Sequence, residues 1–318
     1  MEAAHTPVLA GEILRWLEVR PEGIYIDATL GLGGHASEIA RRLTTGRLIG
    51  IDRDAQAIDI ARERLKEWEK QVTLVHANFG SIDEVAKDLE LPPVDGVIAD
   101  LGVSSMQLDQ AERGFSFRGA GPLDMRMNRD AAETADEIVN GWRERELADV
   151  LYQYGEEHDS RRIARAIVRS RPIRSTEHLA TVVAGARAMR GRQKLHPATK
   201  TFLALRIAVN REMEELGQFL FRTPATLTLG GRWIVLSYHS LEDRQVKHAF
   251  ADQARVGVLR ILTKKAVQPA FAEVDANPRA RSAKLRAAEK IAQSVDVNPG
   301  VETFPAGPGS GPRGKFVN

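Results

Sequence analysis

The sequence predicts an α/β fold, in which a mostly parallel, twisted, Rossmann-like sheet is interrupted by an all-helical inserted domain. Three observations lead to this prediction. Strand-like and helix-like runs alternate over residues 1–100, the pattern over residues 105–212 is helical only, and a strand-like run returns after residue 231. The chain has 318 residues, which is enough for two domains or for one domain with a large insertion.

Four apolar runs in the first part of the chain are typical of buried strands. We predict these strands at residues 23–28, 47–52, 72–76 and 94–100, with helices between them at 36–43, 54–68 and 82–89. Repeated strand–helix units with apolar strands indicate a parallel sheet that helices cover on both faces. The right-handed crossover rule then makes the fold doubly wound.

The remaining elements divide the chain into domains. Helices are predicted from the capping box at 134–137 and at 143–154, 159–170, 176–188 and 199–220. The strand pattern returns at 232–237 after a Gly230–Gly231 turn, followed by a helix at 243–253 and an antiparallel pair of edge strands at 258–263 and 284–291. We therefore predict a discontinuous sheet domain (1–104 and 213–295), a helical insert (105–212) and a disordered tail rich in proline and glycine (296–318).

Composition excludes several classes of protein. The chain has no cysteine, which rules out a disulfide framework, thiolate metal sites and a cysteine nucleophile. No apolar run approaches the roughly 20 residues of a membrane span, and the N-terminal sequence lacks the pattern of a signal peptide. We expect a soluble, cytoplasmic protein without a membrane partner. The histidines lack the spacing of metal ligands, so no metal site is expected.

Charge is distributed unevenly behind a formal net charge of +2. Residues 160–211 contain 13 basic and 1 acidic side chains, whereas acidic side chains predominate in residues 1–159. A basic segment of this kind attracts a polyanion, so we predict binding to nucleic acid, with a merely solvated helical face as the alternative. The side chains expected to contact phosphates are Arg161, Arg162, Arg165, Arg169, Arg190, Arg192, Lys194 and Lys200.

A glycine-rich turn follows the first predicted strand. Residues 31–36 read GLGGHA, and Asp52 ends the second strand 19 residues after Gly33. Glycines allow a ligand to approach the backbone, and a carboxylate at this position accepts both hydroxyls of a ribose, so we predict an adenosine-containing cofactor. Asp27, just before the turn, would repel a pyrophosphate but suits a cationic ligand. This favours S-adenosylmethionine over a nicotinamide or flavin dinucleotide, which stays the alternative.

Several longer motifs resemble those of the bacterial 16S rRNA (cytosine-N4)-methyltransferase family. They lie at residues 27–35 (DATLGLGGH), 100–105 (DLGVSS), 114–117 (GFSF), 121–127 (GPLDMRM), 237–244 (SYHSLEDR) and 277–282 (NPRARS). The resemblance implies a class I methyltransferase fold with a helical insert. It also implies S-adenosylmethionine-dependent methylation of N4 of a cytidine in the decoding region of small-subunit rRNA. The cofactor contacts that it implies are Gly33, Gly34, His35, Asp52, Phe79, Asp100 and Gln107.

Transfer to the exocyclic nitrogen of cytosine requires positioning of the base and a group that accepts a proton. The candidate acceptors are Asp100, His239 and Asp124. The target base must leave its stack to reach such a site, and the candidates for stacking on it are Phe115, Phe117 and Tyr238.

The expected partner is small-subunit rRNA, within an assembled or nearly assembled subunit, and a homodimer is left open. Two other functions fit parts of the pattern. One is an NAD(P)-dependent oxidoreductase, which shares the first strand–turn–helix unit. The other is a non-catalytic RNA-binding factor in ribosome assembly, which would keep the fold without turnover.

Overall fold

The computed structural model describes residues 7–187 and 196–293. These residues form two compact units. We call residues 7–104 and 213–293 the sheet unit, and residues 105–187 and 196–212 the helical unit. The predicted tail at 296–318 lies outside the described residues.

Helices and strands alternate in the first part of the chain, and helices alone make up the middle. The first elements are α1 (Ala10–Leu17), β1 (Ile24–Asp27), α2 (Gly34–Ala40), β2 (Arg47–Asp52), α3 (Ala55–Arg64), β3 (Val72–His76), α4 (Ile82–Asp88) and β4 (Val94–Asp100). The next are α5 (Ser105–Asp109), α6 (Ala135–Gly141), α7 (Glu144–Gln153), α8 (Ser160–Arg169), α9 (Thr176–Ala186) and α10 (Thr199–Asn210). The last are α11 (Glu212–Thr226), β5 (Leu227–Ser237), α12 (Ser240–Arg255), β6 (Leu259–Ile261), α13 (Phe271–Ala276) and β7 (Lys284–Lys290).

Seven strands form one sheet in the order β3-β2-β1-β4-β5-β7-β6. The first five are parallel to one another, and β7 is antiparallel to both β5 and β6. This confirms the predicted α/β fold with a mostly parallel sheet, and it confirms an antiparallel pair of strands at one edge.

Apolar side chains from the strands and from α1, α2 and α3 fill the core of the sheet unit. Ile26 on β1 pairs in register with Ile49 on β2 and Val97 on β4, and all three are fully buried. Because these strands are parallel and in register, their carboxyl ends meet at one edge of the sheet. Each of the three ends at an aspartate, so that edge collects carboxylates.

The helical unit is held together by helix packing and by capping. Helix α7 packs against α8 and α10, and α8 packs against α9. The predicted capping box is present at the start of α6, where Thr134 accepts a hydrogen bond from the backbone N–H of Glu137 and the Glu137 carboxylate accepts one from the backbone N–H of Thr134. No helix within the described ranges has the length and apolar character needed to cross a bilayer.

Three predicted elements differ from the structure. The helix predicted at 199–220 is wrong as a single element, because Arg211 takes a left-handed conformation (φ 49°) and separates α10 from α11. The helix predicted at 54–68 ends at Arg64 and continues only as a 3₁₀ turn over Lys66–Trp68. The glycines at 230 and 231 do not precede the fifth strand but lie inside β5, where the pairing with β4 shifts register between Val94 and Gly96.

Candidate functional site

The candidate site lies at the carboxyl ends of β2, β1 and β4, which are neighbours in the sheet. These strands end at Asp52, Asp27 and Asp100. The loop after β1 lies at the same edge. Two of its glycines have positive φ angles, 50° at Gly31 and 76° at Gly33. Residues with a Cβ atom rarely adopt this conformation, whereas glycine adopts it readily. At Gly33 an added Cβ would also lie 3.3 Å from a methyl carbon of Leu65.

Asp52 ties this loop to the end of β2. One carboxylate oxygen accepts a hydrogen bond from the backbone N–H of Gly31 (2.7 Å), and the other accepts one from the backbone N–H of Asp54 (2.8 Å). Burial raises the pKa of Asp52 although both hydrogen bonds lower it. Asp54 in turn caps α3, so the glycine loop and the start of α3 are fixed through one carboxylate. Each carboxylate oxygen has a second lone pair with which a ribose hydroxyl can bond.

Asp27 and His35 are buried and carry unsatisfied polar atoms. Asp27 is 1% exposed, and one of its oxygens accepts a hydrogen bond from Thr29 N–H (3.2 Å). Considering residues 7–187 and 196–293 only, neither the other Asp27 oxygen nor Nε2 of His35 has a hydrogen-bond partner. Burial raises the pKa of Asp27 to about 7. Burial lowers the pKa of His35, but the nearby carboxylates of Asp100 and Asp27 outweigh it, so the net shift is upward.

Asp100 is partly accessible, with 27% of its side chain exposed, whereas Asp27 is buried. One carboxylate oxygen accepts a hydrogen bond from the hydroxyl of Tyr238 (2.7 Å). The other lies 3.4 Å from Nε2 of His35, a separation at which the hydrogen-bond geometry is not met. Its backbone N–H donates to the hydroxyl of Thr29 (2.6 Å), so Thr29 links the ends of β1 and β4. Burial, followed by the charge of Asp100, raises the pKa of Tyr238.

Three further predicted cofactor contacts complete the set. Phe79 follows β3, and its buried ring packs edge-on against Phe219 with ring centroids 5.4 Å apart. An added Cβ at Gly34 would lie 3.3 Å from the ring of Pro7. Gln107, the remaining predicted contact, is buried in α5 of the helical unit.

The arrangement fits a cationic ligand better than an anionic one. Three carboxylates meet at one edge of the sheet, and two buried polar atoms there lack partners within the described chain, which costs free energy unless a ligand supplies them. The ammonium and sulfonium of S-adenosylmethionine would be attracted to these carboxylates. A pyrophosphate would be repelled by them. The chain's residues therefore fit S-adenosylmethionine and not a dinucleotide.

The other two candidate proton acceptors have different surroundings. Asp124, in the helical unit, forms a two-pronged pair with Arg126 (2.8 and 3.0 Å). Partial burial raises the pKa of Asp124, but this pair outweighs burial and holds the pKa below its usual value. His239 caps α12 by accepting a long hydrogen bond from the backbone N–H of Glu242 (3.4 Å). Nε2 of His239 lies 3.0 Å from the Glu242 carboxylate, a close contact without hydrogen-bond geometry.

The predicted RNA contacts are partly described. All four predicted arginines on α8 carry exposed side chains: Arg161, Arg162, Arg165 and Arg169. Arg165 pairs with Glu144 (3.3 Å), whereas Arg161, Arg162 and Arg169 have no ion-pair partner in the described part of the chain. Lys200 donates to the carbonyl of Glu156 (2.7 Å). Arg190, Arg192 and Lys194 lie outside the described residues.

Sequence reasoning missed the contact between Asp100 and Tyr238. The sequence indicates Tyr238 only as an aromatic ring for stacking on the target base, but its hydroxyl donates a hydrogen bond to a catalytic candidate. A signal was available, since Asp100 ends one apolar strand and Tyr238 follows another. Their adjacency depends on the pairing of β4 with β5, which the periodicity of the sequence does not specify.

The chain is similar to known methylases over nearly its whole length. A family model described as the MraW methylase family matches residues 2–291. The chain is 52% identical over 297 residues to "Ribosomal RNA small subunit methyltransferase H" of Koribacter versatilis, covering 90% of this chain and 94% of that relative. The protein of the same name from Solibacter usitatus is 50% identical over 285 residues, covering 90% of this chain and 99% of the relative.

Solved structures with similarity include a putative rRNA methylase from Clostridium thermocellum, with a TM-score of 0.43 and 15% identity over 89% of this chain and 95% of that one. Among sequences, the family model covers nearly all of the described residues, including the aspartates and the glycine loop. The similarity that the motifs indicated is therefore confirmed. This chain belongs to the MraW methylase family.

Proposed function

We propose that this chain transfers a methyl group from S-adenosylmethionine to N4 of a cytidine in the decoding region of 16S rRNA. Family membership establishes a methylase that uses S-adenosylmethionine. The base, the atom and its location are the proposed part, and they are what the motif resemblance implies. The observation that carries the proposal is the pair of buried, unsatisfied atoms on Asp27 and His35 beside two further aspartates.

The proposed donor contacts are those that the motif resemblance implies, and the arrangement of the strand ends supports them. Asp52 would hold the ribose hydroxyls, and Asp27 would face the ammonium group. Phe79 would pack on the adenine, while the backbone at Gly33 and Gly34 would lie against the methionine portion. Gln107, His35 and Asp100 complete the proposed set. When bound, S-adenosylmethionine supplies a methyl group that its sulfonium makes electrophilic.

Asp100 is the proton acceptor that the surroundings favour. The exocyclic nitrogen of cytosine is a weak nucleophile, because its lone pair is delocalised into the ring, so an acceptor for its N–H assists attack. Asp100 is accessible and lies beside the other two aspartates. Asp124 is neutralised by Arg126, which makes it a weaker base. Nδ1 of His239 caps α12, and its Nε2 lies 3.0 Å from the Glu242 carboxylate, so both ring nitrogens already face α12.

The proposed RNA-binding surface is the arginine face of α8, with Lys200 and the basic residues 190, 192 and 194 as further candidates. Arginines that form no ion pair can neutralise phosphates without breaking one. Such contacts would position the RNA rather than read its sequence. We further propose that the substrate is an assembled or nearly assembled small subunit in the cytoplasm. In this proposal no metal takes part in the reaction. The protein acts either as a monomer or as a homodimer.

The proposal is tested by transfer of tritiated methyl groups to small subunits that lack the modification. Purified subunits are incubated with the protein and labelled S-adenosylmethionine, and the rRNA is digested to nucleosides. We expect the label in N4-methylcytidine, with Asp52→Ala as a control that incorporates little label at low donor concentration. Label in a different nucleoside would contradict the proposed substrate. Binding of the donor without any transfer would favour the non-catalytic assembly factor.

A further inference from the structure

The hydroxyl of Tyr238 is directed at the candidate proton acceptor. Tyr238 follows β5, and Asp100 ends β4, its neighbour in the sheet. The phenol donates to one oxygen of the Asp100 carboxylate over 2.7 Å. The Tyr238 ring packs on the core of the sheet unit, and it lies next to Gly102, where a φ of 104° favours glycine. Both ends of the tyrosine side chain are therefore fixed.

We propose that Tyr238 is a positioning residue for methyl transfer, which holds Asp100 so that its second carboxylate oxygen stays on the side of His35. The inference rests on the proposed function, since it assigns Asp100 to the transfer step. A carboxylate rotates freely about its Cβ–Cγ bond unless its oxygens are bonded. The Tyr238 hydroxyl occupies one oxygen, and the backbone of Asp100 is fixed separately by Thr29 (2.6 Å). The remaining oxygen, 3.4 Å from Nε2 of His35, is the one left to accept a proton.

The transfer step balances with Asp100 in this role. The cytosine nitrogen forms a bond to the methyl carbon as the carbon–sulfur bond breaks, and the bonding pair stays on sulfur, which becomes a neutral thioether. The positive charge passes to the nitrogen, whose proton moves to the free oxygen of Asp100 and then to water. Tyr238 keeps its own proton throughout. It therefore acts through Asp100 and does not touch the reacting atoms.

The test compares Tyr238→Phe with a matched control, Tyr25→Phe. Each substitution removes one phenolic oxygen. The Tyr25 hydroxyl accepts a hydrogen bond from the backbone N–H of Arg20, which precedes β1 in the chain. The aspartates of the candidate site lie at the opposite, carboxyl end of β1 and its neighbouring strands. We expect Tyr238→Phe to lower kcat at least about tenfold, as for loss of a hydrogen bond to a charged group. Its KM for S-adenosylmethionine and its donor Kd should stay within about threefold, and Tyr25→Phe should change neither kcat nor KM.

A double-mutant cycle separates positioning from packing. If Tyr238 acts through Asp100, Tyr238→Phe should slow the Asp100→Ala variant by less than about twofold, because no carboxylate is left to hold. A full tenfold loss in that background would overturn the inference. So would a Tyr238→Phe enzyme with wild-type kcat, or one whose loss lies entirely in donor affinity.

If Asp100→Ala shows no turnover, the double-mutant cycle cannot be completed. The test then rests on whether Tyr238→Phe lowers kcat while leaving KM for S-adenosylmethionine unchanged. The nucleoside that the wild-type protein methylates distinguishes failure of the proposed function from failure of the role proposed for Tyr238. Label in a nucleoside other than N4-methylcytidine contradicts the proposed function, while the ratios of rate constants among the variants still test Tyr238.

Discussion

Asp27 and Asp124 show how burial and pairing act on the same side chain in opposite directions. Burial raises the pKa of Asp27 to about 7, and the nearby His35 opposes this shift without cancelling it. Asp124 is partly buried too, but Arg126 faces both of its oxygens and its pKa falls. Because Asp27 binds a proton more tightly in the folded state than in the unfolded one, its contribution to stability is greatest at low pH. That contribution is lost as the pH rises from about 4 to about 7.

The titration of Asp27 predicts pH-dependent donor binding. Below pH 7 we expect the Kd for S-adenosylmethionine to fall as the pH rises, by at most about tenfold per unit, because only the ionised carboxylate attracts the ammonium group. Above the pKa the Kd should level off. The measurement is isothermal titration at about pH 6, 7 and 8 with the wild type, with Asp27→Asn and with the exposed control Asp59→Asn.

His35 and Asp100 interact with Asp27, so the comparison with Asp27→Asn isolates the contribution of Asp27. We expect weak, nearly pH-independent binding in that variant and wild-type behaviour in Asp59→Asn. A wild-type pH slope in Asp27→Asn would remove Asp27 from the donor site.

At the scale of elements, the strands were easier to predict than the helix ends. β2, β3 and β4 begin and end at the residues predicted from their apolar runs. For β2 and β4 the reason is that buried parallel strands leave little choice of residue type. Helix ends depend on single backbone conformations. The break at Arg211 leaves no mark in hydrophobic periodicity, and neither do the left-handed residues Leu9 and Glu18 that bound the short helix α1.

The same limit applies to the candidate site. The glycine loop and Asp52 are contiguous with predicted strands, so the sequence was sufficient to predict that they contact one cofactor. The hydrogen bond from Tyr238 to Asp100 joins two residues that the whole helical unit separates in the sequence. Only the pairing of β4 with β5 brings them together. Likewise, the sequence does not show that Arg126 pairs with Asp124 and neutralises it.

The end of α4 offers a way to measure how much a single left-handed residue at a helix end affects stability. Glu90, just past α4, has a left-handed φ of 49°, and backbone hydrogen bonds close the helix around it. We expect Glu90→Gly to raise the free energy of unfolding by about 1 kcal/mol, since glycine adopts this conformation without strain. Glu90→Ala keeps the strain and should gain nothing. Urea denaturation measures both, and a glycine variant less stable than the alanine variant would contradict the explanation.

The arginine face of α8 makes a second prediction about an element. Replacing Arg161, Arg162 and Arg169 by glutamate should weaken rRNA binding and flatten its salt dependence, by about one unit of slope for each phosphate that is no longer neutralised. Filter binding between about 50 and 200 mM salt, a range over which such binding changes by roughly 10³-fold or more, measures this slope. The control is Arg62→Glu on α3, where the arginine pairs with Asp59. An unchanged slope in the triple variant would exclude this face.

At the scale of the whole molecule, the charges are segregated along the chain. The three aspartates of the proposed donor site belong to an acidic stretch, whereas residues 160–211 have 13 basic side chains and 1 acidic. A cationic cofactor and an anionic polymer are thus attracted to different parts of one protein. This arrangement supports a two-substrate enzyme more than an oxidoreductase with small neutral substrates.

Ligand-induced stabilisation distinguishes these functions. A ligand that binds only the folded state at about 100 times its Kd adds about 2.7 kcal/mol to the free energy of unfolding. We expect S-adenosylmethionine to raise the Tm of the full chain and NAD to leave it unchanged, as measured by calorimetry. A shift with NAD and none with S-adenosylmethionine would revive the dinucleotide alternative.

The separation of β4 from β5 by the whole helical unit has a consequence for synthesis. The chain must add residues 101–226 after β4 before β5 can join it, which takes on the order of ten seconds at ribosomal speed. During that interval, the apolar edge of β4 has no neighbour on the side that β5 will occupy. An exposed strand edge of this kind is prone to aggregation, so we expect the nascent chain to be most vulnerable before β5 has been made.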